Sequence, residues 1–190
     1  MSGTNGGFGF KMRMIAIVAV DQNWGIGMNG ELLARIPEDQ RDVFRKETLG
    51  FPVVYGRKTL LTFPEEKLLP KRLNVILSRN PDFVKEGAVV LHSETELRVF
   101  LECGTSADGD CASSSEKVFL IGGDEVYRSF LHLCDWAIVT KIHHSFAADA
   151  WFPNLDGLEE WELTEESDVV ESVTGYSFSI CHYSRQVPAN

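Results

Sequence analysis

Continuous apolar runs along the chain are separated by segments in which apolar residues recur at helical spacing. The run at 15–20 contains no polar residue, which predicts a strand buried on both faces of a sheet. Ser93 and Glu96 form a capping box, which predicts a helix that begins there. Further strands are predicted at 52–55, 73–78, 88–91, 117–121, 136–142, 161–164 and 176–183. Strands that alternate with helices and end in a strand pair predict a single-domain α/β fold. We expect a central, mostly parallel sheet with an antiparallel C-terminal edge and helices on both faces.

The predicted domain extends over 14–187, and residues 1–13 are predicted to be a flexible leader. The leader contains four glycines and lacks the apolar core of a signal peptide. No apolar run approaches the roughly 20 residues that a membrane-spanning helix needs. The four cysteines form no C-x-x-C pair and show no zinc-ligand spacing. We therefore expect reduced thiols, a cytoplasmic location and no metal site.

The charge of the chain narrows its range of partners. With 18 basic and 28 acidic residues the formal net charge is −10, which argues against a sequence-independent nucleic-acid binder and against a binder of anionic membranes. The segment 57–85 is positively charged, unlike the chain as a whole, because it holds seven basic and three acidic residues. A local positive region of this kind can attract a small anion while the rest of the chain repels large ones.

Two glycine sites follow predicted strands and precede predicted helices, at 56–59 and 122–125. Glycine lets a ligand approach the backbone, and the N–H groups of a helix N-terminus suit phosphate. Both sites would lie at the carboxyl ends of parallel strands, which predicts a pyrophosphate site. The segment 25–30 also matches G-x-G-x-x-G, but the helix that a dinucleotide-binding turn requires is missing before Pro37. We expect a glycine-rich loop there that closes over a ligand.

Asp39 lies in the first turn of a helix that is predicted to begin at Pro37 and end at Gly50. A carboxylate in this position can simply stabilise the helix dipole. Its apolar neighbours favour a second interpretation, in which one carboxylate binds a cationic or amidine-like ligand. These neighbours are Leu32, Leu33, Ile36, Val43 and Phe44.

Six groups of residues, in this order, resemble the dihydrofolate reductase family, and the resemblance extends over 14–185. The segments are 19–21 with 25–27, 36–39, 52–59, 69–78, 121–123, and 139–142 with 149–153. The resemblance implies reduction of 7,8-dihydrofolate to 5,6,7,8-tetrahydrofolate with NADPH, in one-carbon metabolism. It also implies a monomer that binds dihydrofolate and antifolate-type small molecules.

The resemblance also implies roles for individual residues of this chain, matched to the family pattern position by position. Asp39 would bind the amidine-like edge of the pterin and Thr140 would support it, as the catalytic pair. Arg72 would bind the α-carboxylate of the substrate, and Arg57 or Arg79 would lie near the 2′-phosphate of the cofactor. The implied substrate-binding residues are Ile15, Ile17, Val43, Phe44, Phe63, Arg72, Ile121 and Tyr127. The implied cofactor-binding residues are Ala16, Ile26, Gly27, Gly30, Gly56, Arg57, Lys58, Thr59, Leu77, Ser78, Arg79, Gly122, Gly123, Asp124, Glu125, Val126 and Asp149, with a cis peptide between Gly122 and Gly123.

Three departures from the family pattern leave alternatives open. Ala34 stands where a tryptophan is common, and Asp124 stands in place of a third glycine. One extra residue separates Asp39 from Phe44, so either Val43 or Phe44 could face the substrate, and a π-bulge is possible. The rival functions are a pyrimidine reductase of riboflavin synthesis with the same fold and a catalytically weak, nucleotide-binding paralogue.

Overall fold

The computed structural model describes residues 11–103 and 115–186. Within them the first strand begins at Arg13, one residue before the predicted domain boundary, and Met12 is buried. The Met12 N–H donates a hydrogen bond of 2.7 Å to the Leu101 carbonyl, which ties this residue to the fold. The rest of the predicted leader, up to residue 10, and nearly all of the predicted loop 104–115 lie outside the described residues.

Among the described residues the main sheet has nine strands, and it follows the predicted arrangement. Its order is β10-β12-β8-β1-β7-β4-β5-β6, with β11 paired to β12. Strands β8, β1, β7, β4, β5 and β6 are parallel to one another, whereas β12 pairs antiparallel with β8, β10 and β11. The bounds are β1 Arg13–Val20, β4 Val53–Gly56, β5 Asn74–Leu77, β6 Ala88–Leu91, β7 Lys117–Gly122, β8 Trp136–Ile142, β10 Trp161–Glu166, β11 Val170–Glu171 and β12 Ser177–Arg185. The mostly parallel sheet with an antiparallel C-terminal edge is thus confirmed.

A second, three-stranded sheet was not predicted. It has the order β3-β2-β9 and consists of β2 Gly25–Met28, β3 Glu31–Leu32 and β9 Ala150–Trp151. β2 lies in the segment 25–30 that was predicted to be a glycine-rich loop, and β3 follows this segment directly. Pairing of β2 with β9 fastens this segment to the chain that follows β8.

The helices are short and lie on both faces of the main sheet. The α-helices are α1 Lys46–Thr48, α2 Arg57–Leu61, α3 Glu94–Cys103 and α4 Asp124–Phe130, and a π-helix covers Asp39–Arg45. Short 3₁₀ turns occur at Pro64–Glu66, Leu131–Leu133 and Leu155–Gly157. No helix in the described ranges is long and apolar enough to cross a membrane.

Successive residues of β1 point to opposite faces of the sheet and divide the core in two. Met14, Ala16 and Val18 belong to one apolar cluster, which α3 covers. Ile15 and Ile17 belong to a second cluster, which the π-helix and α2 cover. The apolar run at β1 is therefore buried on both faces, as predicted.

Candidate active site

The π-helix explains how the chain accommodates its extra residue. Asp39 opens this helix, and its hydrogen bonds span five residues, so one turn holds more than four. Side chains four and five positions after Asp39 therefore face the same side as its carboxylate. Val43 is buried in the second apolar cluster, and Phe44 packs against that cluster as well. Both side chains therefore lie on the side of the second cluster, and the contact of either one with the substrate stays a prediction.

Asp39 and Thr140 form a direct pair, although they lie 101 positions apart in the chain. The Thr140 hydroxyl donates to Asp39 Oδ1 at 2.5 Å. Thr140 is buried at the centre of β8, and Asp39 is only partly exposed. Burial raises the pKa of the Asp39 carboxyl above its ordinary value, and the hydrogen bond from Thr140 opposes this effect less strongly. Within the described ranges, Asp39 Oδ2 has no hydrogen-bond partner, so this oxygen can accept from a ligand.

An apolar wall lies beside this carboxylate. Six of the implied substrate-binding residues share the second cluster: Ile15, Ile17, Val43, Phe44, Phe63 and Ile121. Tyr127 is not among them, because its ring belongs to the first cluster and lies 4.7 Å from that of Phe152. Its hydroxyl donates to the Ile17 carbonyl at 2.7 Å, which ties Tyr127 to β1, and its contact with the substrate stays a prediction.

Arg72 is anchored at the end of the π-helix by hydrogen bonds to neutral oxygens. Its Nε donates to Thr48 Oγ1 at 2.9 Å, and its Nη1 donates to the Pro70 carbonyl at 2.8 Å. The guanidinium carbon lies 5.7 Å from the centre of the Phe44 ring. Partial burial and the nearby charge of Arg45 lower the pKa of Arg72. No carboxylate of the described residues forms a salt bridge with this guanidinium, so it can bind an anionic group.

Two residues that the sequence interpretation missed hold Arg72 in place. Thr48 is buried and donates to the Phe44 carbonyl at 2.6 Å while it accepts from Arg72. Asn74 is buried in β5, and its amide bonds the backbone of Leu69 and of Arg72. The hydroxyl of Tyr55 donates to Asn74 Oδ1 at 2.8 Å. A lone amide inside an apolar strand was the available signal, because a buried polar group requires partners.

The two glycine sites meet, as predicted, because β4 and β7 are neighbouring parallel strands. β4 ends at Gly56 directly before α2, and β7 ends at Gly122, which Gly123 separates from α4. A Cβ at Gly56 would lie 2.9 Å from Val126 Cγ2, and one at Gly123 would lie 3.3 Å from Thr59 Oγ1. A side chain at Gly56 would therefore require Val126 to move, and one at Gly123 would require a smaller shift of Thr59. The peptide between Gly122 and Gly123 is cis, as the resemblance implied.

A cavity of about 520 Å³ lies along these two helix starts. Eleven of the implied cofactor-binding residues line it: Gly56, Arg57, Lys58, Thr59, Leu77, Ser78, Arg79, Gly123, Asp124, Glu125 and Val126. The sequence interpretation missed several others, among them Asn80, His92, Arg128 and Ser129. The size is that of a small-molecule site, and four basic side chains at one cavity fit the phosphates of a dinucleotide.

The charges at this cavity form two separate sets of ion pairs. Glu125 accepts from Lys58 at 2.7 Å and from Arg79 at 3.2 Å, and Asp124 pairs with Arg128 at 3.1 Å on its own helix. The hydrogen bond from Lys58 and its charge lower the pKa of Glu125. Asp124 thus has a local cation partner, whereas Glu125 lies between cations from two other elements.

Apart from Gly122, which ends β7 beside the cavity, the remaining implied cofactor-binding residues lie elsewhere. Ala16 is buried in the first cluster, while Ile26, Gly27 and Gly30 belong to the segment 25–32. Asp149 fastens this segment, because its Oδ2 accepts from the Asn29 N–H at 2.8 Å and its N–H donates to the Gly27 carbonyl at 3.0 Å.

Comparisons with known proteins agree with this geometry. A family profile described as dihydrofolate reductase matches residues 13–185. The dihydrofolate reductase of Neisseria meningitidis serogroup A is 32% identical over 174 residues, which cover 92% of this chain and 99% of that protein. The dihydrofolate reductase HdrB of Haloferax volcanii is 30% identical over 182 residues, covering 94% and 86% of the two chains. A structure of dihydrofolate reductase from Enterococcus faecalis, complexed with NADP(H) and RAB-propyl, superimposes with a TM-score of 0.78 at 29% identity and covers 94% of this chain and 99% of that one.

Proposed function

The chain belongs to the dihydrofolate reductase family, and from this premise we propose that it reduces 7,8-dihydrofolate to 5,6,7,8-tetrahydrofolate with NADPH. The observation that carries the proposal is the pairing of Asp39 with Thr140 beside an apolar wall, in a chain that also has a cationic glycine cavity. The first feature suits a flat ring with a row of N–H donors, and the second suits phosphates.

Asp39 is proposed to bind the amidine-like edge of the pterin. Its Oδ1 is held by Thr140, which fixes the plane of the carboxylate and directs Oδ2 to the ligand. Hydrogen bonds between charged and neutral groups are stronger than neutral ones, and the apolar surroundings strengthen them further. The negative charge at Asp39 would also raise the proton affinity of the ring nitrogen that takes a proton from water during reduction.

The apolar wall is proposed to orient the substrate and to exclude water from the reacting carbon. Val43 and Phe44 would contact the ring from the π-helix, and Ile15, Ile17 and Ile121 from the sheet. When bound, NADPH supplies the hydride that this carbon accepts.

Arg72 is proposed to bind the α-carboxylate of the substrate. A planar guanidinium can pair with a carboxylate through two parallel hydrogen bonds. Thr48 and Asn74 hold the guanidinium and its loop in advance, which reduces the entropy lost on binding.

The cavity at the starts of α2 and α4 is proposed to hold the phosphates of NADPH. Glycines 56 and 123 allow close approach to the backbone, and Arg57, Lys58 and Arg79 supply positive charge. We propose that Ile26, Gly27, Gly30 and Asp149 act together by closing the segment 25–32 over the nicotinamide end.

The decisive experiment mixes the purified chain with NADPH and dihydrofolate and follows the loss of NADPH absorbance. We expect turnover that a competitive antifolate inhibits. Turnover of a ribosylaminopyrimidine in place of dihydrofolate would favour the pyrimidine reductase. Binding of NADPH without turnover of either substrate would favour the nucleotide-binding paralogue.

We further propose that the chain acts as a monomer in the cytoplasm and binds no nucleic acid. The net charge of −10 supports the last point, since phosphodiester chains would be repelled. Cys103, Cys134 and Cys181 are free thiols, which supports a reducing compartment. Sedimentation of the purified chain at several concentrations tests the monomer.

A further inference from the structure

Glu125 makes ion pairs with cations from two other elements at the mouth of the cavity. Its Oε1 accepts from Lys58 Nζ at 2.7 Å, and its Oε2 accepts from Arg79 Nη2 at 3.2 Å. Lys58 lies in α2 after β4, Arg79 follows β5, and Glu125 lies in α4 after β7. The carboxylate therefore joins side chains that the ends of three parallel strands bring together.

A carboxylate in this position presents the same chemistry as a phosphate. Both are anions that accept hydrogen bonds from ammonium and guanidinium groups through more than one oxygen. The cations that Glu125 holds are also two of the groups proposed above to bind the phosphates of NADPH. A phosphate that uses these donors must share them with Glu125 or displace it, and in either case the carboxylate repels it.

The exposure of these groups makes displacement feasible. The side chains of Lys58, Arg79 and Glu125 are 77%, 89% and 56% exposed. Ion pairs as exposed as these contribute about 0–1 kcal/mol, so a doubly charged phosphate can replace the carboxylate. The other acid of the cavity, Asp124, does not compete for the same donors, because its partner Arg128 lies on its own helix.

We infer that Glu125 is a specificity-determining residue, which competes with the 2′-phosphate of the cofactor for Arg79, one of the two arginines that the family resemblance places near that phosphate. It thereby reduces the preference of the chain for NADPH over NADH. The inference rests on the proposed function only in taking NADPH as the cofactor of this cavity. It predicts that removal of the negative charge of Glu125 strengthens binding of NADPH more than binding of NADH.

The test is calorimetric titration of the full chain and of Glu125→Gln with NADPH and with NADH, without any folate. A unit charge about 6–8 Å from a dianion, screened by water and salt, changes affinity by about three- to tenfold. We expect Glu125→Gln to bind NADPH more tightly by this factor and to change NADH binding by less than about twofold. An equal gain for both dinucleotides, no gain, or weaker binding of NADPH would overturn the inference.

Glu165→Gln is the matched control, because it makes the same change in net charge on β10, at the edge of the main sheet opposite to β4–β6. We expect it to leave both affinities unchanged, and Glu125→Ala should repeat the gain of Glu125→Gln. A gain in Glu165→Gln would show that overall charge, not position, is responsible. A wild-type chain that binds NADPH but does not reduce dihydrofolate would refute the proposed function without altering this comparison of affinities.

Discussion

Asp39→Asn is expected to abolish most of the activity and at the same time to stabilise the folded chain near neutral pH. The substitution keeps the shape of the side chain and removes its charge. A carbonyl at the Oδ1 position can still accept from the Thr140 hydroxyl, so the local packing is retained. The two effects have opposite signs because the negative charge of Asp39 strengthens binding of the ligand but makes burial of the side chain unfavourable.

The loss of activity follows from the hydrogen bonds that the carboxylate would make. Each hydrogen bond to a charged group contributes about 1.5–3 kcal/mol, and two of them to the pterin edge contribute about 3–6 kcal/mol. At about 1.36 kcal/mol per tenfold change in rate, kcat/KM should fall by about 10²- to 10⁴-fold. Steady-state kinetics of dihydrofolate reduction near neutral pH measures this loss.

The gain in stability follows from the raised pKa of Asp39, for which burial is the main cause. Between pH 3.8, which is the ordinary pKa of this carboxyl, and its raised pKa in the folded chain, the folded chain binds more protons at Asp39 than the unfolded chain does. The contribution of Asp39 to the free energy of unfolding is therefore most favourable below 3.8 and is lost as pH rises through the folded pKa. An uncharged side chain escapes this loss, so the advantage of Asp39→Asn should be absent in acid and appear towards neutral pH.

Denaturant unfolding of both chains across this pH range measures the difference. Glu38→Gln is the matched control, since the Glu38 carboxylate bonds Ser172 and the Val173 N–H rather than Thr140. We expect it to keep the wild-type rate. Wild-type turnover in Asp39→Asn, or a stability advantage that decreases as pH rises, would refute the reasoning.

Two further predictions concern the supports of the site. Thr48→Val leaves Arg72 Nε without its acceptor, so we expect KM for dihydrofolate to rise about tenfold with kcat nearly unchanged. The control Thr164→Val, on the edge strand β10, should change neither KM nor kcat. An equal fall in kcat would contradict this. The second prediction concerns Gly56→Ala, which places a methyl group 2.9 Å from Val126 Cγ2. This overpacking should lower the free energy of unfolding by about 1–3 kcal/mol and weaken NADPH binding. Adding Val126→Ala should restore both, as measured by denaturant unfolding and by titration, and failure of this rescue would contradict the proposed steric cause.

The main sheet was predictable because its signals are local and long. The apolar run of β1 and the alternation of strands with helices are enough to place a parallel sheet, and short glycine breaks mark its ligand-binding edge. The small sheet gave no such signal. Its strands have two to four residues, too few for a hydrophobic period, and β2 is held by pairing with β9 more than 120 positions away. Long-range pairing of this kind cannot be deduced from local pattern.

The site was predictable to a different degree for each residue. The pairing of Asp39 with Thr140 came from the family resemblance, because no periodicity connects residues that far apart. The extra residue before Phe44 permitted a π-bulge, but only the packed structure shows that both Val43 and Phe44 are accommodated. The resemblance implied Glu125 only as one of many cofactor-binding residues, and its proposed competition with phosphate could be inferred only from the position of Lys58 and Arg79 opposite it.

Opposite pKa shifts at the two carboxylates indicate how the site is organised. Burial beside apolar side chains raises the pKa of Asp39, whereas hydrogen bonds and charges from Lys58 and Arg79 lower that of Glu125. The carboxyl group proposed to bind a ring with N–H donors is thus harder to ionise than usual, whereas the carboxyl group among the cations proposed to bind phosphates ionises more readily. One apolar wall cannot serve both ends, because a phosphate needs solvated cations and the pterin edge needs a dry carboxylate. A chain with a net charge of −10 can therefore bind two anionic ligands, because several cations are concentrated at the proposed cofactor cavity and a further one, Arg72, lies at the proposed substrate site.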